Sequence, residues 1–482
     1  MLVFLAFAGS VRGETPPPIG GRAVASLGSA PGSFDPVTAR SWSDVTLALL
    51  VFDSLYRLDA AGRVVPHLAE SMPQVSADGL EARVPLRNGA RFHDGRAVRP
   101  PDVVASLRRA LTAPSTAWAL AAVVSVNHIE GALVLRLRRP EPDLAARLAL
   151  PQLAVTPLGR APAPTAPIGS GPFRVRRVDE AGRRIELEAA PEHFAGRPWL
   201  DALVLRWFTA SDDEARGYEA GEADVSLRGA VAFAGHEPKY PTVSIESRAT
   251  VLGYLGFGRA RGALLDDPET RAALSLAIGR AGLRHVGSGE RVVPASSPLP
   301  VDLGGAPAVD AAPAAARAAL AKVTARYPKL SRLEILVDAT RPEDAEVAAR
   351  VIAALDRVGL TATYVAVPAA ELERRIAAGL CDLYLGELAL PAADPLAAYA
   401  VAFAAGGDGS AAARLREAPL SVEQAAAMFA ARLPVVPLFH RSVRAHHKRA
   451  LRGLAVDALG RLSFADAYLW TGPTEPPVDS SP

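Results

Sequence analysis

Two different patterns of apolar and polar positions divide this chain. Between residues 51 and 111, short extended apolar segments alternate with tight turns. Residues 59–62 and the pair Asp78-Gly79 are such turns, since Asp and Gly tolerate the backbone angles that a chain reversal needs. After Pro100-Pro101, apolar residues recur at helical spacing, at Val103, Val104, Leu107 and Leu111. This part of the chain is predicted to be a small strand-rich unit that carries one helix.

A strand and helix alternation dominates the second half. Asp267 is predicted to cap a helix that Pro268 opens. The elements that follow are strands over 333–337, 361–367 and 382–385, with helices over 343–358 and 369–378 between them. Alternation of this kind predicts a parallel sheet with crossover helices, and a ligand crevice at the carboxyl ends of its strands.

Length and charge narrow the class of protein. A chain of 482 residues predicts two or three domains. The formal net charge is +2, so the chain lacks the basic field of a nucleic-acid-binding protein. The single cysteine, Cys381, excludes an internal disulfide. These features indicate a globular protein whose partners do not include nucleic acid.

Residues 1–14 are interpreted as a partial signal peptide. The stretch Leu2 to Ala8 is apolar, and small residues follow at a spacing that signal peptidases prefer, but no Lys or Arg precedes Arg12. A disordered N-terminus is the alternative. Seven apolar residues are too few to span a bilayer, which needs about twenty. Residues 15–21 contain three consecutive prolines and are read as a stiff spacer.

Several motifs, in fixed order, resemble the family 5 extracytoplasmic solute-binding proteins of ABC transporters, which include dipeptide, oligopeptide and nickel binders. The resemblance covers about Leu27 to Leu469. Its motifs are Val51-Phe-Asp-Ser-Leu-Tyr-Arg-Leu-Asp, Val64-Val-Pro-His-Leu-Ala-Glu-Ser, Phe92-His-Asp-Gly, Pro167-Ile-Gly-Ser-Gly-Pro-Phe-Arg-Val, Glu192-His-Phe-Ala-Gly-Arg-Pro-Trp-Leu-Asp, Gly253-Tyr-Leu-Gly-Phe and Leu433-Pro-Val-Val-Pro-Leu-Phe-His.

The resemblance implies an α/β, two-lobed periplasmic-binding-protein fold of class II, cluster C type, with an extra small domain in the N-terminal lobe. Lobe I is expected to comprise 22–44, 166–255 and 436–482, and the extra domain 45–165. Lobe II is expected over 256–435. The segment near 404–433 is short compared with the family it resembles, so lobe II is interpreted as trimmed there.

The resemblance also implies a function. A periplasmic, monomeric protein of this kind captures a small peptide-like or anionic solute between its lobes and delivers it to a permease in the inner membrane. It is not an enzyme and needs no cofactor. Lobe closure is a ligand-driven shift between open and closed states, with hinge residues expected at Gly169, Gly171, Pro172 and Pro437.

Ligand contacts are expected from two walls of the cleft. Arg40, Ser41, Trp42 and Trp118 lie at ligand-facing positions of the family. On the opposite wall, the ungapped alignment of 382–395 puts Leu388 at the family's Trp and Pro391 at the Asp that pairs with a peptide's amino group. Glu387 and Ala389 complete the predicted set. Because Pro391 replaces the Asp that would pair with a peptide's amino group, a free amine would lack its carboxylate partner. Arg40 can bind a carboxylate or phosphate, so the predicted ligand is anionic or N-blocked.

Alternatives remain at this point. Arg40 could be a solvated loop charge, with both tryptophans in the core. The trimmed lobe leaves open the alternative of a receptor or scaffold protein that no longer transports, and a hydrolase is the weakest alternative.

Two histidine motifs are candidates for catalytic or metal sites. His93-Asp94 lies on a turn where adjacent side chains point apart, and no catalytic motif is present. His446-His447-Lys448 is interpreted as a solvated run, so no metal site is expected.

Overall fold

The computed structural model describes most of the chain. The residues it describes are 16–59, 62–208, 210–227, 238–286, 292–308, 313–327, 332–392, 394–417, 420–457 and 459–470. The predicted signal peptide, 1–14, therefore lies outside the described residues. Residues 16–21 of the proline-rich spacer have no regular structure, and Gly20 donates a backbone hydrogen bond to Trp199 O at 2.7 Å.

A seven-stranded mixed sheet forms the first lobe. Its central strand is Arg22–Leu27, in which Ala23, Ala25 and Leu27 are fully buried. This strand pairs in parallel with a neighbour on each side. In spatial order the strands are Thr242–Glu246, Arg444–Lys448, Val225–Ser226, Arg22–Leu27, Ala202–Trp207, Arg184–Ala189 and Phe173–Asp179. The last two pair in antiparallel as a hairpin.

A six-stranded sheet forms the second lobe and is only partly parallel. Its strands in spatial order are Val292–Pro294, Val435–Arg441, Val251–Phe257, Leu383–Ala389, Arg332–Asp338 and Thr361–Val367. The last three are parallel to one another, as predicted. The others are antiparallel, because Val251–Phe257 and Val435–Arg441 run to and from the first lobe without a crossover helix. The alternation of strands and helices therefore predicted half of this sheet.

The small domain has its own antiparallel sheet, and its longest described helix is Pro100–Thr112. The sheet contains, in spatial order, Gln74–Val75, Glu81–Pro85, Ala132–Leu137 and Val123–Ile129. Gly62 and Gly79 have φ angles of +77° and +73°, as the predicted turns require. The helix Trp42–Val51 is not part of this domain, since Leu47 and Val51 pack into the core of the first lobe. The domain thus begins later than residue 45.

The remaining elements are short strands and helices that pack on these sheets. Two-stranded pairs join Tyr56–Leu58 with Val64–Pro66, Leu451–Arg452 with Tyr468–Leu469, and Ala455–Val456 with Leu462–Ser463. Other helices are Leu144–Arg147, Ser211–Glu219, Ala263–Asp266, Pro268–Ala277, Pro313–Arg326, Pro342–Asp356, Ala369–Ala377, Pro395–Ala405, Gly409–Glu417 and Val422–Arg432. Short 3-10 helices are Pro36–Thr38, Ala117–Leu120, Pro151–Leu153, Pro157–Gly159, Ala281–His285 and Val301–Leu303.

Helix ends follow the predicted local signals. The Asp267 side chain accepts a hydrogen bond from Glu269 N, which caps the helix that Pro268 opens.

The segment near 404–433, which we expected to be trimmed, holds two helices, Gly409–Glu417 and Val422–Arg432. Within the part of the chain that the structure describes, no helix is both long and apolar enough to cross a membrane.

Two connections join the large sheets, and neither contains the predicted hinge residues. They run through 247–250 and 442–443, and they hydrogen-bond to each other, Ser247 N to Val443 O at 2.8 Å and Val443 N to Ser247 Oγ at 2.9 Å. Pro437 instead lies inside a strand, at a bulge opposite Tyr254. A proline fits there because a bulge does not need its missing N–H.

Gly169, Gly171 and Pro172 connect the small domain to the first lobe. The hinge prediction therefore requires correction at all four residues. The two glycines are explained by close packing, since a Cβ on Gly169 would lie 1.9 Å from Val51 O and one on Gly171 would lie 2.6 Å from Val51 C. Neither glycine needs a positive φ angle.

Candidate functional site

A cavity of about 420 Å³ lies between the two lobes and the small domain. The first lobe contributes the loop that carries Thr38 and Arg40, and the small domain contributes Ser115, Trp118 and Gln152. The second lobe contributes one end of the strand Leu383–Ala389 together with the helices Ala369–Ala377 and Pro395–Ala405. A volume of this size falls in the range of about 300–1,000 Å³ that is typical of small-molecule sites.

Arg40 reaches across the cleft from the first lobe. Its guanidinium forms an ion pair with Glu373, which lies on the helix Ala369–Ala377 of the second lobe. Burial alone would lower the pKa of Arg40, but the Glu373 carboxylate raises it above its ordinary value. The backbone oxygen of Arg40 also accepts a hydrogen bond from Ala389 N at 3.0 Å. Arg40 is therefore charged, at the cavity wall, and paired.

Asp44 holds the loop that presents Arg40. Its carboxylate accepts hydrogen bonds from the backbone N–H groups of Gly32 at 2.8 Å, Ser41 at 3.2 Å and Arg40 at 3.3 Å. Burial and the nearby Glu373 charge raise the pKa of Asp44. We did not single out Asp44 from the sequence. Its signal was Ser41-x-x-Asp44, the spacing of a capping box, which the structure shows at the start of the helix Trp42–Val51.

Trp118, Leu388 and Ala389 also line the cavity. The Trp118 indole Nε1 donates to Ser115 O at 2.9 Å, and the guanidinium of Arg147 lies 5.8 Å from the ring centroid. These contacts hold the indole in one orientation, with 3% of the residue exposed. These three residues form an apolar part of the cavity wall.

Glu387 belongs to the joint between the lobes and not to the large cavity. Its carboxylate lies 2.7 Å from Arg441 and 3.5 Å from Arg341, and it accepts a hydrogen bond from Trp42 N at 2.9 Å. Burial would raise the pKa of Glu387, but the two guanidinium groups lower it below its ordinary value. We predicted that the Glu387 carboxylate contacts the ligand, but it is bonded to these three protein groups instead.

Three further predicted ligand residues have other contacts. Ser41 caps the helix Trp42–Val51. Trp42 is buried in the first-lobe core and its indole donates to Gly460 O at 2.6 Å. Pro391 is buried and is not among the residues that line the large cavity. Both tryptophans are core residues, with 3% of each exposed, but Trp118 also lines the cavity and Trp42 does not.

The acidic residue near Pro391 is Asp394, and its carboxylate is already bonded to other groups of the protein. Asp394 accepts a hydrogen bond from Leu396 N at 2.9 Å, which caps the helix Pro395–Ala405, and it forms an ion pair with Arg147 of the small domain. Among the described residues that line the cavity, the one carboxylate is that of Glu373. Glu373 had no recognisable signal in the sequence, because its role depends on Arg40, which is more than three hundred residues away.

The two histidine motifs have structural contacts. His93 Nε2 bonds to Gly171 O at 3.0 Å, whereas Asp94 pairs with Arg96 at 2.8 Å, so the two side chains do not act together. His446 and His447 are successive residues of the strand Arg444–Lys448, where neighbouring side chains point to opposite faces.

Comparisons with known proteins agree with this architecture. The family model described as bacterial extracellular solute-binding proteins, family 5, middle region, matches residues 63–410. A probable di/tripeptide-binding protein of Pseudomonas aeruginosa is 27% identical over 286 residues, which are 52% of this chain and 54% of that protein. The chain spans about half the length of the first curated relatives it matches.

Solved structures show the same fold over nearly the whole chain. The murein tripeptide binding protein MppA of Escherichia coli superposes with a TM-score of 0.77 at 17% identity, covering 94% of this chain and 99% of that one. The binding protein AgaA of Agrobacterium tumefaciens, solved with agropinic acid, gives a TM-score of 0.75 at 20% identity, covering 93% and 99%. Because the family model matches well over half of the chain, and because the fold is the same, the chain belongs to the bacterial extracellular solute-binding proteins of family 5.

Proposed function

We propose that this protein is the extracytoplasmic solute-binding component of an ABC importer, acting as a monomer that captures a small solute and delivers it to a membrane permease. The observation that carries the proposal is the cavity of about 420 Å³, whose walls come from both lobes and from the small domain. A ligand in this cavity would contact all three units at once. Binding would therefore favour the closed arrangement over the open one.

The solute is bound without chemical change in this proposal. The charged residues that line the cavity are Arg40, Glu373 and Arg374, and its described lining residues include no histidine or cysteine. The lining hydroxyls bond elsewhere: Ser115 and Thr116 donate to backbone oxygens, and Ser33 bonds to Thr38. None of these bonds is to a base that could activate a nucleophile. The relatives and solved structures named above are binding proteins, which supports the same proposal.

The charge of the cavity favours an anionic or N-blocked solute. Two arginines and one glutamate line it, and that glutamate already pairs with Arg40. A free ammonium group would have to compete with Arg40 for Glu373, and Pro391 supplies no second carboxylate. A carboxylate or phosphate on the solute could instead share the guanidinium of Arg40. Trp118 offers an apolar face for the remainder of the solute.

A fluorescence titration of the purified protein would test the solute class. The panel comprises free dipeptides, the same peptides N-acetylated, organic acids and neutral oligosaccharides, each followed by tryptophan emission and confirmed by native mass spectrometry. We expect saturable binding of one anionic or N-acetylated class, with the solute recovered unchanged. Recovery of converted product with turnover would contradict the binding function itself.

The variant Arg40→Ala separates the ligand assignment from the transport function. We expect it to weaken anion binding by about tenfold or more, since a hydrogen bond to a charged group contributes about 1.5–3 kcal/mol. Arg63→Ala is the matched control, because the Arg63 side chain is 79% exposed and pairs only locally with Asp59. Tight binding of free-amine dipeptides that survives Arg40→Ala would overturn the ligand assignment and leave the transport proposal standing.

A further inference from the structure

Asp53, His67 and His193 come together away from the cleft, although they lie far apart in the chain. His67 Nε2 lies 2.8 Å from Asp53 Oδ1, and His193 Nε2 lies 3.5 Å from Asp53 Oδ2. One ligand atom from each residue falls within 4.8 Å of the others. In a tetrahedral zinc site with bonds of about 2.1 Å, neighbouring ligand atoms are about 3.4 Å apart. The three side chains are therefore close to the spacing that a single ion requires.

Two buried atoms of this cluster have no hydrogen-bond partner among the described residues. They are Asp53 Oδ2 and His193 Nε2, and the contact between them does not have hydrogen-bond geometry. The Asp53 side chain is 3% exposed and the His193 side chain 5%. A buried polar atom without a partner is costly in free energy, and most such atoms in proteins are paired. The two atoms lie 3.5 Å apart, so one ion bound to both would satisfy both.

The surroundings orient His193 for metal binding. Its Nδ1 donates to Gly196 O at 3.2 Å, so Nε2 is the ring nitrogen that faces Asp53 and the one available to a metal ion when the imidazole is neutral. The ring of Phe194 lies against both imidazoles, with centroids 4.7 Å from His193 and 4.9 Å from His67. These contacts fix the imidazoles by packing, as a preformed site requires.

A cavity of about 380 Å³ opens next to the cluster, and Asp53, His67 and His193 all line it. It provides room for a water molecule or another small ligand in a fourth position. Two neutral imidazoles and one carboxylate with an open position form a ligand set that suits zinc.

We propose that Asp53, His67 and His193 bind one divalent transition-metal ion, with Zn²⁺ as the preferred ion. The site links three parts of the molecule. Asp53 follows the helix Trp42–Val51 of the first lobe, His67 follows the strand Val64–Pro66, and His193 follows the strand Arg184–Ala189. A bound ion would hold the small domain against the first lobe, and binding to the folded state alone would stabilise the protein. The sequence predicted no metal site, because none of the spacings between these residues is local.

Metal content can be measured on the untagged, full-length protein. The protein is stripped with EDTA, dialysed against a slight excess of Zn²⁺, passed through a desalting column and analysed by inductively coupled plasma mass spectrometry. We expect one equivalent of zinc per chain and a higher melting temperature with zinc than without it. Substitution with Co²⁺ should give the intense visible absorption of a four-coordinate site.

Variants decide whether these three residues are the ligands. We expect His193→Gln and His67→Gln each to weaken zinc affinity by at least tenfold, and to lose the cobalt absorption. His128→Gln is the control, because His128 is exposed on the strand Val123–Ile129 of the small domain. Circular dichroism establishes that each variant is folded, and Asp53→Asn replaces any histidine variant that is not.

The proposal is overturned if the wild-type protein retains no zinc after desalting. It is also overturned if the folded variants retain one equivalent with unchanged affinity. Neither result would affect the proposed solute binding, which is measured in a different cavity with a different probe.

Discussion

Arg40 of the first lobe and Glu373 of the second lobe form an ion pair across the cleft, at the wall of the cavity that we propose for the solute. The pair joins the lobes in the same place where a solute would join them. An anionic solute that uses Arg40 must therefore share it with Glu373 or displace that carboxylate. The pair is thus a determinant both of closure and of the charge that the cavity accepts.

Glu373→Gln should strengthen the binding of anionic solutes. The two side chains are 24% and 35% exposed, so solvent screens the pair and it contributes about 1 kcal/mol or less. We therefore expect anion affinity to rise by up to about fivefold by isothermal titration calorimetry, with no gain for neutral solutes. Glu346→Gln is the control, since Glu346 pairs with Arg350 on a different helix. Unchanged or weaker anion binding in Glu373→Gln would show that Arg40 does not contact the solute.

Glu387→Gln should destabilise the joint between the lobes. The substitution removes the charge of the buried Glu387 carboxylate, which lies 2.7 Å from the half-buried guanidinium of Arg441. Breaking one partner of a buried ion pair costs about 3–5 kcal/mol, which urea unfolding would measure. Glu334→Gln, on the adjacent strand but exposed, should change stability far less. Equal stability of the two variants would contradict the structural role assigned to Glu387.

Gly171→Ala should lower stability and should not act on a hinge. The added Cβ would meet Val51 C at 2.6 Å and Leu50 O at 2.7 Å, which are backbone atoms that cannot rotate away. Overpacking of this kind costs about 1–3 kcal/mol, measured as a shift in the urea midpoint. Gly282→Ala is a matched control, because nothing lies within 4 Å of its Cβ position and its φ angle is not positive. A stable Gly171→Ala protein with altered closure in small-angle scattering would restore the hinge interpretation.

His440 should make the second lobe sensitive to acid. Burial lowers the pKa of His440 from 6.5 to about 4, and its Nε2 donates to Pro298 O at 3.1 Å. Its Nδ1 has no hydrogen-bond partner among the described residues, so a proton there would be a buried, unsolvated charge. Because the unfolded chain binds this proton more readily, the stabilising contribution is complete above pH 6.5 and is lost as pH falls toward 4.

The corresponding measurement is the free energy of unfolding between pH 7 and pH 4. We expect the wild type to lose up to about 3 kcal/mol over this range from His440 alone. His440→Gln should flatten the profile, whereas His128→Gln at an exposed position should reproduce it. Identical slopes for all three proteins would rule out His440 as the acid-sensitive group.

Local sequence signals predicted several of the individual elements. The cap at Asp267, the turns with glycine at 62 and 79, and the strand Thr361–Val367 all depend on neighbouring residues. Such signals act over a few residues, so a single sequence displays them directly. The order of motifs along the chain was also sufficient to predict the family and the two-lobed fold.

Contacts between distant segments were decided only by the tertiary structure. The pairing of Arg40 with Glu373, the buried position of Glu387 between two arginines and the convergence of Asp53 with His67 and His193 depend on how the lobes and the small domain pack. The tertiary structure also decided where the chain crosses between the two large sheets. It crosses at 247–250 and 442–443, and not at the segment that contains Gly169 and Gly171. Hydrophobic periodicity and turn residues specify which face of an element is buried, but they do not specify which distant side chain that face will meet.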